Sequence, residues 1–461
     1  MRSSFAQNGL CRTKSTLLRN RVFGPVILCA LIVACGPTTE NGKGAFNREF
    51  GGKADTPSAL TWANLVHTAT NTITLSAEFA NNGYQLPSNT FLLAARVVQG
   101  VEQPAFEFFS LGETGFTYSP GNFWPASTVK LMAAVGALMT LGEYGLTGAA
   151  NVSFTDAGGS YSGTVKNLYK KAIVISENSA YDRLMRIAGF DEMNDIYLTP
   201  EAGFPKMVLQ RRYEVGSNLR SSPAIAYQEG ELSGQIPARE KSEREHTDCP
   251  NEANCTNLFE LLEVMRKVTL HQELPKKDQF PLNQTDIDDL QQHLLECHSV
   301  RIKPGASAAL GHSVKVYNKK GSCAEDDRLD HGLIVDQVTD EKYLIAFSMR
   351  YYNTSDADAA ELTRQTLLAL QANKGESPPL QYPAGIPVEI ETTPNSEGCA
   401  AKITAPGADS IRAWINSESQ PVVLEDNLTF ELLPESSQII SVQALENNLP
   451  IGFQAFSVVC P

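Results

Sequence analysis

A serine and a lysine stand three residues apart in Trp124-Pro125-Ala126-Ser127-Thr128-Val129-Lys130-Leu131. The run after them, Leu131 to Leu141, is apolar nearly all round and carries no charge. Such a run predicts a buried helix in a large protein. Ser127 then falls on the first turn, with Lys130 on the same face. A hydroxyl there lies beside unpaired backbone N–H groups and the positive end of the helix dipole. A lysine in apolar surroundings loses its charge readily and can accept a proton near neutral pH. Together they make an activated nucleophile. Taken singly the pattern is weak: roughly two copies are expected by chance in a chain of this length, and a helix-opening serine ordinarily serves as an N-cap. What sets this copy apart is the apolar helix around the lysine and the polar motifs that come after it in order.

The second motif is Ser176-Glu177-Asn178, between helix patterns at Thr164–Ile175 and Ala180–Ala188. Read as structure, Ser176 is an N-cap. Read as chemistry, a hydroxyl and a carboxamide project from one turn, able to relay a proton and grip a substrate amide. The third is Lys319-Lys320-Gly321-Ser322, closing a run from Gly311 that alternates as a strand up to Lys319. Between them, Arg212, Glu214 and Asn218 lie in a loop-like stretch, Pro200 to Pro223. The seven histidines are scattered and offer no Ser-His-Asp triad, and no metal or cofactor motif is present.

These three motifs, in this order and context, resemble the S-x-x-K, S-D-N and K-T-G triplet of penicillin-recognising serine enzymes, class A β-lactamases above all. The resemblance covers about residues 58–375. It implies an α/β (α+β) fold of the β-lactamase/transpeptidase type: a five-stranded antiparallel sheet flanked by helices, plus a helical lobe, with the site between them. It also implies roles. Ser127 attacks a lactam or peptide carbonyl, Lys130 takes its proton, and Ser176 passes a proton to the leaving nitrogen. Asn178 contacts the substrate amide. Lys319, Lys320, Gly321 and Ser322 form the substrate-binding strand end, with the backbone N–H groups of Ser127 and Ser322 as the oxyanion hole. Glu177 replaces the usual aspartate, and Lys320 stands where the family has a hydroxyl. Arg212, Glu214 and Asn218 copy the R-x-E-x-x-x-N spacing of the family's deacylation loop, which makes Glu214 the expected base for the second step. Val215 and an insertion at 224–254 depart from that loop.

Other elements must position these groups. Thr61–Phe79 reads as an amphipathic helix, and Asn89–Gln99 with Ala105–Ser110 as a hairpin of central strands. Ala224–Asn254 reads as a surface excursion. Helices are expected at Leu258–Leu270, Thr285–Glu296 and Ala357–Gln371, strands at Gly332–Val335 and Lys342–Arg350, and a solvated turn at Ala324–His331. Residues 376–387 are rich in Pro and Gly and mark a linker. The short β-type runs of 388–461 predict a small C-terminal β-sandwich with no chemistry of its own.

The chain's 461 residues, 42% hydrophobic and 20% charged, suffice for two domains. The net charge of −14 leaves no basic stripe for nucleic acid. Residues 1–34 combine five basic residues with a short apolar run, Val22 to Ala34, and read as an export signal. Ile32-Val33-Ala34-Cys35 resembles a bacterial lipobox, in which Cys35 is lipidated. An exported protein, lipid-anchored at the outer membrane or in the periplasm, is then expected. Residues 35–57 would be a flexible tether. Of nine cysteines, six remain for disulfides: Cys249, Cys255, Cys297, Cys323, Cys399 and Cys460. The economical pairing is sequential, Cys249–Cys255, Cys297–Cys323 and Cys399–Cys460. A monomer acting on a β-lactam or a peptidoglycan peptide is expected. The alternatives are a DD-peptidase or another esterase or amidase, and, of a different class, a non-catalytic surface-binding protein with the same fold.

Overall fold

The computed structural model describes residues 70–98, 103–111, 125–156, 159–199, 202–214 except 205, 221–240, 253–322, 327–349, 354–375 and the strands between 389 and 459, with a few single positions besides. The expected signal, Cys35 and tether lie outside the described residues, as do Asn218, Cys323 and Cys460.

A first helix, α1 (Thr72–Asn81), is opened by Asn71, whose side chain accepts from the Thr74 N–H. The hairpin β1 (Thr90–Val98) and β2 (Ala105–Leu111) comes next, as expected. After the helical lobe the chain returns as β9 (Lys315–Gly321), β10 (Arg328–Val335) and β11 (Lys342–Met349), and β11 pairs with β1. The sheet is six-stranded rather than five-stranded, because a two-residue edge strand, β12 (Leu380–Gln381), adds to β2. Strand side chains alternate between faces. Leu92 and Ala94 therefore join Phe109, Ile345 and Phe347 on one face, under α1, α7 (Ile302–Leu310) and α8 (Asp356–Ala372). Leu93 and Ala95 join Phe106, Phe108 and Ala346 on the other, against α5 (Leu258–Thr269). Apolar residues on both faces make the sheet a buried layer.

The helical lobe is built round α2 (Lys130–Glu143), in which every residue from Lys130 to Leu141 is buried. Gly136 lets it approach its neighbours: a Cβ there would fall 2.2 Å from the Met193 methyl carbon. Around it stand α3 (Val165–Val174), α4 (Asn178–Ala188) and α6 (Gln284–Glu296). A four-stranded sheet in the order β4-β3-β6-β7 uses β3 (Asn151–Asp156), β4 (Gly159–Thr164), β6 (Ile225–Glu229) and β7 (Leu232–Ile236). The expected surface excursion is thus partly a hairpin, and its exposed, polar β7 hid that from the sequence. A further pair, β5 (Val208–Leu209) and β8 (Asn254–Cys255), joins two loop ends.

The solvated turn expected at 324–331 is shorter than its charge suggested. β10 begins at Arg328. Asp330 and His331 are buried, each with one polar atom partnered: Asn318 Nδ2 donates to Asp330 Oδ1 at 2.9 Å, and His331 Nδ1 lies 2.8 Å from the Leu261 carbonyl. C-terminal strands β13 (Glu389–Asn395), β14 (Gly398–Thr404) and β17 (Asn427–Leu432) form one antiparallel sheet. A second contains β15 (Ser410–Ile415), β16 (Val422–Glu425), β18 (Ser437–Glu446) and β19 (Leu449–Val459).

Candidate active site

Ser127 sits in a 3-10 turn, Ala126–Val129, that runs straight into α2. The Thr128 N–H and hydroxyl both donate to the Pro125 carbonyl, at 3.1 and 2.5 Å, and the Lys130 N–H to the Ser127 carbonyl. Ala126, just before the serine, has φ +47°, a region few residues with a Cβ adopt. Gly321, at the end of β9, presses on this turn. A Cβ on it would lie 3.1 Å from the Ser127 nitrogen and 3.1 Å from the Pro125 oxygen. Any larger residue would push the strand away from the nucleophile.

Lys130 opens α2 and is fully buried. Its Nζ donates to the Ser176 carbonyl at 2.5 Å, to Ser176 Oγ at 3.2 Å and to Asn178 Oδ1 at 2.7 Å. Burial, then the charge of Lys319, lowers its pKa to about 7. Lys319 is likewise buried, and burial lowers it to about 8. Its Nζ donates to Ser176 Oγ at 3.0 Å and to the Lys320 carbonyl at 3.0 Å. Ser176 is therefore held between two lysines, on a turn where its own φ is +60°. A hydroxyl that accepts from both sides has its proton directed elsewhere. Asn178 is the first residue of α4. Glu177 holds the N-cap position of that helix without a side-chain cap; its carboxylate accepts the Ser179 hydroxyl at 2.5 Å and faces Lys171 at 3.7 Å.

One residue that the motifs do not contain holds the strand end. Arg301, buried at the start of α7, donates to the Gly321 and Leu329 carbonyls and to Ser322 Oγ, at 2.9, 2.7 and 2.8 Å, and pairs with Asp356. Nothing in the sequence distinguished it from other arginines. Lys320 is half-buried, on the face of β9 opposite Lys319, and Ser322 is exposed.

A family model described as the β-lactamase enzyme family, Beta-lactamase2, matches residues 112–369, more than half of the chain. The chain belongs to the β-lactamase enzyme family. It has the fold of that family, and it is a β-lactamase-like hydrolase. Solved structures similar to it include an acyl-enzyme complex of a PBP-A mutant with penicillin G, at 15% identity and TM-score 0.44, covering 65% of this chain and 96% of that one. A class A β-lactamase representative from Bacteroides cellulosilyticus matches at 13% identity and TM-score 0.44, over 66% and 98%. The TLA-3 extended-spectrum β-lactamase matches at 12% and 0.44, over 65% and 99%. No curated protein sequence matches the chain.

The loop expected to carry the family's second-step base is held by α4. Asp182, buried there, accepts the N–H of Tyr213 at Oδ1, 2.7 Å, and that of Glu214 at Oδ2, 2.9 Å. With both N–H groups pinned, the two side chains diverge. Tyr213 turns inward, stacked on Tyr181 with ring centroids 4.5 Å apart. The Glu214 side chain is exposed, and among the described residues its carboxylate makes no hydrogen bond or ion pair. Its charge favours the ammonium form of Lys130, behind Asp182 and Glu177. Among the described residues no hydrogen bond ties the Glu214 carboxylate to Ser127, Lys130 or Ser176. Arg212 is buried; burial lowers its pKa and Asp182 opposes that.

Of the expected disulfides, Cys249–Cys255 is formed, with 5.9 Å between Cα atoms. Cys297 is instead a buried free thiol, which corrects the expected bond to Cys323. It ends α6 and is buried against the Lys319–Lys320 stretch of β9, and burial raises its pKa. Cys399 lies on β14, and its expected partner is outside the described residues.

Proposed function

We propose that the chain opens the amide of a β-lactam, or of a peptidoglycan peptide of similar shape, through an acyl-enzyme on Ser127. The observation that carries this reading is the placement of Ser176 Oγ within hydrogen-bond reach of both Lys130 and Lys319. Lys130, with a pKa near neutrality, takes the Ser127 proton as Oγ attacks the carbonyl carbon. The tetrahedral oxyanion is met by the N–H groups of Ser127 and Ser322. Ser176 gives its proton to the leaving nitrogen as the C–N bond breaks, and a lysine beside it restores that proton. Asn178 accepts from Lys130 through Oδ1, so its Nδ2 is the atom offered to a substrate carbonyl. Lys319 and Lys320 attract the substrate carboxylate. No cofactor or metal takes part in this reading. The protein would work as a monomer, lipid-anchored through Cys35 after export.

The test is covalent labelling. A penicillin should add its mass to one peptide containing Ser127, and Ser127→Ala should take no label. Lys130→Ala should label slower by on the order of 10²–10⁴, the usual loss with a proton acceptor. Label that persists in Ser127→Ala would sink the assignment.

One observation favours a second reading for the fate of the acyl-enzyme. The Glu214 carboxylate is exposed, and among the described residues no hydrogen bond holds it for activating water at the ester. A peptidase that β-lactams trap as long-lived adducts fits that geometry better than a fast β-lactamase with Glu214 as its base.

A further inference from the structure

Tyr213, on the 206–214 loop, reaches the turn that carries the nucleophile. Its hydroxyl donates to the Ala126 carbonyl, 87 residues away in sequence. That carbonyl and the Ser127 N–H belong to the same peptide group. The Ser127 N–H is one of the two oxyanion donors in the function proposed above, and the inference rests on that function. A hydrogen bond accepted at the carbonyl end of an amide polarises it and strengthens the donor at the nitrogen end. It also fixes the plane of a peptide that comes after a residue at φ +47°, which a free chain would relax.

We infer that Tyr213 is a positioning residue for the oxyanion hole: its hydroxyl orients and polarises the Ala126–Ser127 peptide, so that the Ser127 N–H is fixed before substrate arrives. The surroundings hold it to this task. Asp182 fixes its backbone N–H, and the Tyr181 ring fixes the plane of its own. Tyr181 is fixed in turn, donating its hydroxyl to the Arg211 carbonyl at 3.0 Å and accepting from Asn254 Nδ2 at 2.9 Å. On the other side, the close approach of Gly321 leaves the peptide no room to swing toward β9. The Tyr213 ring also lies beside Lys130, whose Nζ is 5.7 Å from its centroid. One side chain thereby helps both to aim the oxyanion donor and to keep water from the base.

The experiment compares wild type, Tyr213→Phe and Tyr181→Phe in the full chain, by acylation with a fluorescent penicillin and by binding of a phenylboronic acid. A boronic acid forms a tetrahedral adduct on a serine and reads the oxyanion hole directly. Tyr213→Phe keeps the ring but loses the hydroxyl. Its acylation rate constant should fall about tenfold, the size of one net hydrogen bond. Boronate affinity should fall by the same factor, while the non-covalent affinity for penicillin and the pH at which acylation is half-maximal stay unchanged. Tyr181→Phe removes a neighbouring hydroxyl that does not touch Ala126 and controls for loosening of the loop. The inference is overturned if Tyr213→Phe acylates at the wild-type rate, if its boronate affinity does not fall, or if Tyr181→Phe loses as much of both. A wild type that takes no label at Ser127 would instead overturn the proposed function, and the two failures are distinct.

Discussion

Lys319 Nζ lies 3.0 Å from Ser176 Oγ, joining the end of strand β9 to the turn between α3 and α4 across 143 residues of sequence. The contact bridges the sheet and the helical lobe. Lys130 reaches the same oxygen from α2. Two buried ammonium groups on one hydroxyl repel each other, which is why Lys319 ranks next to burial in lowering the pKa of Lys130.

Acylation should therefore track the deprotonation of Lys130. The rate should rise with pH through about 7 and level off above it. Lys319→Gln removes a positive neighbour, so the Lys130 pKa rises and the limb should move to higher pH. Pre-steady-state labelling across pH 5–9 checks this. A limb that stays in place, or moves down, would remove Lys319 as a cause.

The same shift makes a statement about stability. The folded pKa of Lys130 lies below its ordinary 10.5, so between about 7 and 10.5 the unfolded chain binds more protons than the folded one. The penalty for burying this amine is largest below the folded pKa and is lost as pH rises toward the unfolded value. Lys130→Met should melt higher than wild type at pH 6 while failing to acylate, and the gain should shrink by pH 10. Equal melting at pH 6 would mean that the three acceptors fully offset desolvation.

For Glu214, the expected result is a labelled wild-type protein whose adduct outlives the assay, with little repeated hydrolysis of nitrocefin. Glu214→Gln should leave the adduct lifetime within about twofold, since among the described residues no hydrogen bond holds the exposed carboxylate at the ester. Fast nitrocefin turnover that collapses in Glu214→Gln would restore this glutamate as the second-step base.

The inward face of that loop leans on Asn254. Its Oδ1 accepts the N–H groups of Gln210 and Arg211, at 2.9 and 2.8 Å, and it is fully buried. Asn254→Ala should cost about 1–3 kcal/mol, because two buried donors lose their acceptor. Thermal melting would show it. Reducing Cys249–Cys255, next to Asn254, should lower the melting temperature further in wild type than in a Cys249→Ser/Cys255→Ser variant.

Anchoring has its own test. Cys35→Ala should release the protein from membranes if Cys35 carries lipid. A wild type that is already soluble, with a mature N-terminus elsewhere by mass spectrometry, would end that proposal.

Features decided within a few residues were legible in the sequence. The Leu131–Leu141 run has no polar face to offer water, so it had to be buried, and Lys130 with it. The helix pattern at Thr164–Ile175 is realised, with Thr164 capping it through its own side chain, whereas the helix expected over Thr61–Phe79 has a start inside that span, at Thr72, capped by Asn71. The order of Ser127, Ser176 and Lys319 pointed to a family because that family spaces its chemistry along the chain in a fixed way. The spacing could not say which face of the 206–214 loop meets the nucleophile. Arg212 and Glu214 sit at family spacing, and between them Tyr213 reaches the Ala126 carbonyl, with Asp182 accepting the consecutive N–H groups of Tyr213 and Glu214. Arg301 was invisible for the same reason, since its partners at Gly321, Ser322, Leu329 and Asp356 come together only when α7, β9, β10 and α8 pack. Cys297 had a plausible partner by count, and its burial against β9 left it a free thiol. Side-chain type and period fix what a segment wants to bury. Which hydrogen bonds it then makes depends on groups far along the chain, and those only the packed structure brings within about 3 Å.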